Sequence, residues 1–214
     1  MAKEGGEIPE QQSEKRDKSK IIKRKKRKTA DTWKKKEWYT IMSPKCFEER
    51  DIGDTPADDE SKIMDRQINV PLRDITGKMG HQFVKIMLKP ESIKGKTIYT
   101  RVVGLEITPE QLRRNIRRRR SIAKCVVDVV SKDGKKIRTT GYGFTAMKVD
   151  TTRKDQVRAA IRRGIEAEGS ANTFEAFIQK CAYGIVPTEM LKTVKKICPV
   201  KRIEISKCVL LENK

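Results

Sequence analysis

Six arginines occupy the eight positions from Arg113 to Arg120: Arg113, Arg114, Arg117, Arg118, Arg119 and Arg120. No acidic residue separates them. Such a segment cannot enter an apolar core, because an unpaired buried charge costs more than packing returns. It must lie on the surface, and the fold has to be built from the apolar patterns on either side of it. Thr108-Pro109-Glu110-Gln111 leads into the run with the marks of a helix start: Thr as cap, Pro at the first helical position, and Gln three residues after the cap. The spacing predicts a helix over 108–120. At about 100° per residue, five of the six arginines then share an arc of roughly 160°, and Leu112 and Ile116 form a narrow apolar stripe that docks the helix. Solvated helix faces usually mix charge signs, since like charges four apart cost about 0.2–0.5 kcal/mol per pair. Arginine's planar fork matches phosphate bidentately and stacks on bases. The segment is therefore expected to contact nucleic acid.

The whole chain points the same way. Its 214 residues hold 50 Lys and Arg against 29 Asp and Glu, a formal net charge of +21. Self-repulsion of that size opposes compaction unless a polyanion neutralises it. No apolar run approaches the roughly 18 residues of a membrane span, and the basic segments lack the Trp- or Phe-bearing apolar face of an interfacial helix. No membrane partner is expected. Residues 1–36 carry 14 basic and 6 acidic residues. Within them, residues 1–30 hold too little apolar surface to offset ordering entropy and are expected to form a disordered basic tail. Its run Lys23, Arg24, Lys25, Lys26, Arg27, Lys28 is a candidate phosphate ligand, as is the cluster Lys34, Lys35, Lys36 that follows Trp33. The polar N-terminus lacks an apolar signal core, so no secretory leader is expected.

Chemistry finds little support. His81 is the only histidine, so a Ser-His-Asp triad or a His-based metal site has nothing else to draw on. It is taken as a structural or surface histidine. The five cysteines are odd in number and form no C-x-x-C pair, which suits free, mostly buried thiols in a reducing cytoplasm. Asp54, Asp58, Asp59 and Glu60 could hold Mg²⁺ through water, but a solvated acidic loop or a patch facing a basic protein is the simpler account. No phosphate-binding loop of the G-x-x-x-x-G-K-[ST] kind exists. Neither a cofactor nor an enzymatic activity is expected.

Coarse patterning gives an α+β fold. Glu37 to Met42 reads as a first strand, with Trp38 and Tyr39 anchoring it in the core. Asp51 to Asp59 is rich in turn formers and reads as a loop. Gln67 to Leu72 suits an edge strand, given Pro71. Strands are expected at 83–88 and 97–103 around the turn Lys94-Gly95-Lys96, and at 122–130 and 137–147 around Asp133-Gly134, a strong hairpin signal. Gly141 and Gly143 in the last of these imply a bulge, a bend or close backbone approach. Three helices follow, opening at Thr152, Asn172 and Pro187, with Val157, Ala160, Ile161, Ile165, Phe174, Phe177, Ile178, Cys181, Met190, Leu191, Val194 and Ile197 inward. Val200 to Leu211 closes the chain as a returning strand. The expected architecture is an antiparallel sheet, open or curled into a barrel, with an Arg-rich helix and a C-terminal group of three helices. The parts are a tail at 1–30, a β-rich RNA-binding body at 31–150, and helices with the final strand at 151–214.

No helix-turn-helix, zinc finger, basic zipper or RNP aromatic pair is present, so base reading is not the expected mode. Basic charge spread over a tail, a helix and a surface suits folded RNA gripped by shape and phosphates. Several segments in order support a more specific assignment: Asp31-Thr32-Trp33-Lys34-Lys35-Lys36-Glu37-Trp38-Tyr39, then Ile52-Gly53-Asp54-Thr55-Pro56-Ala57-Asp58-Asp59, then the Arg run. Ser131-Lys132-Asp133-Gly134, Gly143-Phe144-Thr145 and Ile197-Cys198-Pro199-Val200-Lys201-Arg202-Ile203-Glu204-Ile205 continue the series. Over residues 31–212 the chain resembles the S-three-Ae family of small-subunit ribosomal proteins of archaea and eukaryotes, and its length is similar to archaeal members. The resemblance implies a structural, non-enzymatic constituent of cytoplasmic ribosomes, on the platform near the mRNA exit. Its implied partners are the 3′ region of the small-subunit rRNA and neighbouring ribosomal proteins, with mRNA nearby. A free RNA-binding initiation or maturation factor is the alternative that the residues leave open.

Overall fold

The computed structural model describes residues 32–211; the Lys23–Lys28 run and the rest of the tail lie outside them. The fold is mixed α+β, and its eight strands form one sheet that does not close into a barrel. Strand β1 is Glu37–Met42, as expected. From Trp38 onward it alternates, so Tyr39 is 8% exposed while its neighbour Trp38 is 59% exposed. Adjacent strand residues point to opposite faces, and only one of the two rings can reach the core. The expectation that both rings anchor the strand fails for that reason.

The segment expected to be a loop at 51–59 is a strand instead, β2 (Asp51–Ala57), paired antiparallel with β1. Its turn-forming residues are tolerated because β2 is an edge: Pro56 has no N–H to give, and an edge has one side on which none is required. Side chains hold it in place. Thr40 Oγ1 donates to Asp54 Oδ1 at 2.9 Å, and Arg66 Nη1 donates to Thr55 Oγ1 at 2.8 Å and to the Pro56 carbonyl at 2.9 Å. A short helix, α1 (Glu60–Met64), follows. It contributes Ile63 to a small core with Tyr39, Ile41, Ala57 and Ile98. Strand β3 (Ile68–Pro71) pairs only with β4 and is the edge strand that Pro71 implied. Helix α2 (Leu72–Thr76) leads on to β4 (Val84–Lys94).

β4 and β5 (Thr97–Ile107) are both 11 residues long and form a hairpin through Gly95, whose φ of +60° suits glycine. Both outrun the lengths expected of them. Pro90 interrupts neither strand, because it lies beyond the last residue of β4 that pairs with β3 and sits at a register shift. β4 takes one edge of β5 along its whole length. The other edge is shared: Thr97–Tyr99 pair in parallel with β1, and Gly104–Glu106 pair antiparallel with β8 (Val200–Leu210). Thus the last strand of the chain lies inside the sheet, between β5 and β7, in the order β2-β1-β5-β8-β7-β6. β6 (Ile122–Val130) and β7 (Lys136–Thr145) form the expected Asp-Gly hairpin, with Gly134 at φ +73°.

Helices α4 (Thr151–Ala171), α5 (Phe174–Ala182) and α6 (Ile185–Val194) cover one face of this half of the sheet. Val157, Ile161 and Ile165 recur every four residues along α4 and are fully buried. They meet the glycine positions of β7: a Cβ on Gly143 would lie 2.9 Å from Ile161 Cδ1, and one on Gly141 3.1 Å from Ile161 Cγ2. The backbone approach inferred from those glycines is therefore a helix–sheet contact, and the β7–β8 register also shifts at Thr140/Gly141. Phe174, Phe177, Ile178, Cys181, Met190 and Val194 point inward as the periodicity required, while Ala160, Leu191 and Ile197 are only partly buried against the core.

The tightest point is the β5–β8 crossing. A Cβ on Gly104 would stand 2.4 Å from the Cys208 carbonyl oxygen, and backbone cannot rotate away as a side chain can. Gly104→Ala is expected to destabilise the fold by about 2–3 kcal/mol. Gly80→Ala, where nothing lies within 4 Å, is expected to stay within about 0.5 kcal/mol. Urea unfolding of the two variants checks this; equal midpoints would show that β5 and β8 are not held at this distance.

Candidate nucleic-acid interface

The Arg-rich helix expected over 108–120 is not one helix. Helix α3 spans only Pro109–Asn115, and the chain is extended at Ile116 before a turn at Arg118–Arg119, with Arg119 at φ +59°. Continuing the helix would stack Arg113 on Arg117 and Arg114 on Arg118 with no acid to relieve them. The apolar stripe assigned to Leu112 and Ile116 does not anchor it either, since Ile116 is 49% exposed. The buried residue of α3 is Gln111. Its amide does not cap the helix; Nε2 donates instead to Glu204 Oε1 on β8, at 3.4 Å. Thr108 makes no side-chain cap, and its hydroxyl is buried without a partner.

Breaking the helix changes which arginines come together. Arg114, Arg117 and Arg120 line a cleft of about 440 Å³ with Lys201 and Arg202 of β8. Arg113, Arg118 and Arg119 lie outside it and are exposed. None of the six arginines of the run forms an ion pair among the described residues. Lys34 and Lys35 fall in one 3-10 turn, Thr32–Lys35, and both are exposed. Lys36 is half-buried just before β1. Lys201 and Arg202 were not singled out from the sequence, because a lone Lys-Arg pair at the start of a strand carries no signal until the strand is placed beside α3.

The floor of the cleft is the face of the sheet away from α4. Arg202 lies in register with Phe144, and Glu204 with Tyr142, which in turn pairs with Lys124 of β6. The Tyr142 and Phe144 rings are stacked at 6.1 Å, and Lys124 Nζ sits 5.8 Å from the Tyr142 centroid, within cation–π range. Glu204 is only 4% exposed. Arg202 Nε donates to its Oε1 at 2.7 Å. Burial nevertheless dominates and raises the Glu204 carboxyl above its ordinary 4.5, with Arg202 and the amides of Gln111 and Asn115 offsetting only part of the effect.

A raised carboxyl favours the protonated form in the folded state. Its contribution to stability is complete below 4.5 and is lost as pH rises through the folded value. Glu204→Gln, which is neutral at every pH, is expected to melt higher than the native chain at pH 7 and level with it at pH 4. Thermal melts across that range test the sign. A native chain that gains on the variant as pH rises would mean that the Arg202 pair outweighs desolvation.

The acidic residues 54–60 do not converge. Asp54 is bonded to Thr40, while Asp58 and Asp59 both pair with Lys62, at 3.6 and 2.8 Å. No group of three His, Cys, Asp or Glu residues suited to a metal occurs among the described residues. Cys125, Cys181, Cys198 and Cys208 are buried and Cys46 half-buried. Burial pushes the Cys46 and Cys208 thiols up to about 12, so neither offers a thiolate near neutral pH.

A mixed α+β body that gathers Arg114, Arg117, Arg120, Lys201 and Arg202 on one cleft defines a basic protein with an anion-facing surface. Comparison with known proteins narrows this. The Ribosomal S3Ae family profile matches residues 24–214, and the chain belongs to that family. It is similar to the small ribosomal subunit protein eS1 of Archaeoglobus fulgidus, with 36% identity over 191 residues, covering 88% of this chain and 90% of that one. The eS1 protein of Methanothermobacter thermautotrophicus is 34% identical over 193 residues, 90% of this chain and 99% of its own. That of Saccharolobus islandicus is 36% identical over 182 residues, 85% and 88% respectively.

Proposed function

We propose that this protein is a structural constituent of the small ribosomal subunit that binds its rRNA through the cleft between α3 and β8. The observation that carries the reading is the convergence of five cations, Arg114, Arg117, Arg120, Lys201 and Arg202, on one cleft. Only Arg202 among them has an acidic partner among the described residues. An array of cations of which four have no acidic partner among the described residues is a phosphate surface. Membership of a ribosomal family supplies the polyanion. The family resemblance further supports a place on the platform near the mRNA exit, against the 3′ region of the small-subunit rRNA, in cytoplasmic ribosomes. The exposed Lys34 and Lys35 and the Lys23–Lys28 run are further candidate phosphate ligands.

Replacing Arg114, Arg117 and Arg120 together by Gln is expected to weaken binding to a 3′-region rRNA fragment. It should also flatten the dependence of log K on log salt by about one for each phosphate no longer neutralised, roughly two to three in all. The same variant should melt no earlier than the native chain, because no ion pair is removed. A triple variant with unchanged affinity and slope would refute the cleft as the rRNA site. Retention on small subunits through a high-salt wash distinguishes a structural constituent from a transient factor, which strips off.

A further inference from the structure

Trp38 has no place in the core: it is 59% exposed, on the side of β1 opposite Tyr39. The strand register shows what shares that side. β1 sets Thr40 beside Thr97 and Met42 beside Tyr99, and β4 sets Lys94 beside Thr97, Ser92 beside Tyr99 and Lys89 beside Arg101. Ile98 and Val102, which alternate with Tyr99 and Arg101, are buried in the cores that the helices cover. Trp38, Tyr99, Arg101, Lys89 and Lys94 therefore project from the other side of the sheet. Arg202 of the arginine cleft lies on that side too, since its neighbour Ile203 is buried in the larger core. Lys94 Nζ stands 5.4 Å from the Tyr99 ring centroid, a cation–π distance. Lys94 and Arg101 are exposed, and Tyr99 and Lys89 are half-buried. Neither Lys89 nor Lys94 has an acidic partner among the described residues. The acids sit at the margins. Glu37 pairs with Lys96 at 3.2 Å, Asp54 of the edge strand β2 accepts from Thr40, and Glu91 is the extra residue where the β4–β5 register shifts.

We infer that this side of β1, β5 and β4 is a second RNA surface, on which Trp38 and Tyr99 each stack one unpaired base while Lys89, Lys94 and Arg101 face phosphates. The inference rests on the proposed function, since it takes the polyanion to be RNA, but it asks for unpaired nucleotides, which the arginine cleft does not. Rings interleaved with cations on a sheet hold single strands without reading their sequence, because every base has a π-face and the cations follow the backbone. By the β1–β5 register Trp38 falls opposite Gly95, four residues along from Tyr99. At about 3.3 Å per residue and 4.8 Å between strands, the two positions stand roughly 14 Å apart. The rings therefore take separate bases instead of clasping one. A protein partner would also cover an exposed tryptophan, but lysine is depleted from the centres of protein interfaces, and cations with the acids confined to the margins complement a polyanion.

The test reads Trp38 directly. In the full chain carrying Trp33→Phe, Trp38 is the only tryptophan, and its fluorescence is followed as an oligoadenylate decamer is added. Stacking is expected to quench it. An RNA duplex of the same length should quench it far less, because its bases are already paired and stacked on one another. The quenching by the decamer should persist when Arg114, Arg117 and Arg120 are also replaced by Gln, since the two surfaces are separate. With a labelled decamer, Trp38→Ala and Tyr99→Ala are each expected to bind about tenfold weaker with an unchanged salt slope, and Trp38→Phe to keep most of the affinity. Lys89→Gln combined with Lys94→Gln should instead flatten the slope by roughly one to one and a half. No quenching by the decamer in a chain that still binds the rRNA fragment overturns the stacking surface and leaves the cleft reading standing. Equal quenching by the duplex, quenching lost with the three arginines, or full decamer affinity in both alanine variants overturns it as well. Trp38 fluorescence that responds to neighbouring small-subunit proteins and not to RNA assigns this side of the sheet to a protein instead. Failure of the native chain to bind rRNA at all removes the proposed function and this surface with it.

Discussion

β8 is the last element of the chain, and it lies inside the sheet between β5 and β7. Without it the β4–β5 hairpin and the β6–β7 hairpin share no hydrogen bonds, and the helices α4 to α6 cover a sheet with a gap in it. The pairing with β7 is long, from Ile137 to Thr145. The pairing with β5 is three residues, at a place where Gly104 lets the two backbones approach. This asymmetry makes β8 a firm continuation of one half of the sheet and a narrow hinge-like join to the other. Long-range pairing of this kind is slow to form because loop closure precedes any gain from the bonds it allows. Three helices separate the final strand from β7 along the chain.

The same short join generates the functional surface. Because β5 ends at Ile107, one residue past its short pairing with β8, the edge of β8 from Ile203 to Ile205 has no strand beside it there, and α3 follows directly from β5. Gln111 ties the helix down to Glu204 and leaves a buried carboxyl with an unfilled oxygen. The arginine run then has to leave the helix, since its next turn would be all like charge. The turn at Arg118–Arg119 brings Arg120 back to the cleft that Arg114 and Arg117 already line. Charge repulsion within the segment thus shapes the site as much as attraction to phosphate does.

Electrostatics and packing are kept apart in this molecule. The large core joins the helices to the sheet through Val157, Ile161, Ile165, Phe174 and Phe177, all essentially inaccessible. The cleft residues Arg114, Arg117, Arg120, Lys201 and Arg202 lie outside this core. Substitution of the arginines is therefore separable from stability. Glu204 is the buried carboxyl among the described residues, where the two meet.

Much of the fold was legible locally. The Asp133-Gly134 hairpin, the three C-terminal helices with their inward residues, and the returning strand all follow from periodicity and turn chemistry, which act over a few residues. The candidate site was legible only as composition: the Arg113–Arg120 run had to be exposed and had to meet a polyanion, because no arrangement could bury it unpaired. Three things lay beyond the sequence. Asp51–Ala57 became a strand because β1 offered a free edge, overriding a turn-rich composition. Trp38 faced outward because Tyr39 took the core side of the same strand. The partners of the arginine cleft, Lys201 and Arg202, come from a segment some eighty residues away, brought there by β8. Residue type and local spacing set charge and period, but which distant strand lies alongside α3 is decided only by the global pairing of the sheet, and that pairing is what turns a basic run into a cleft.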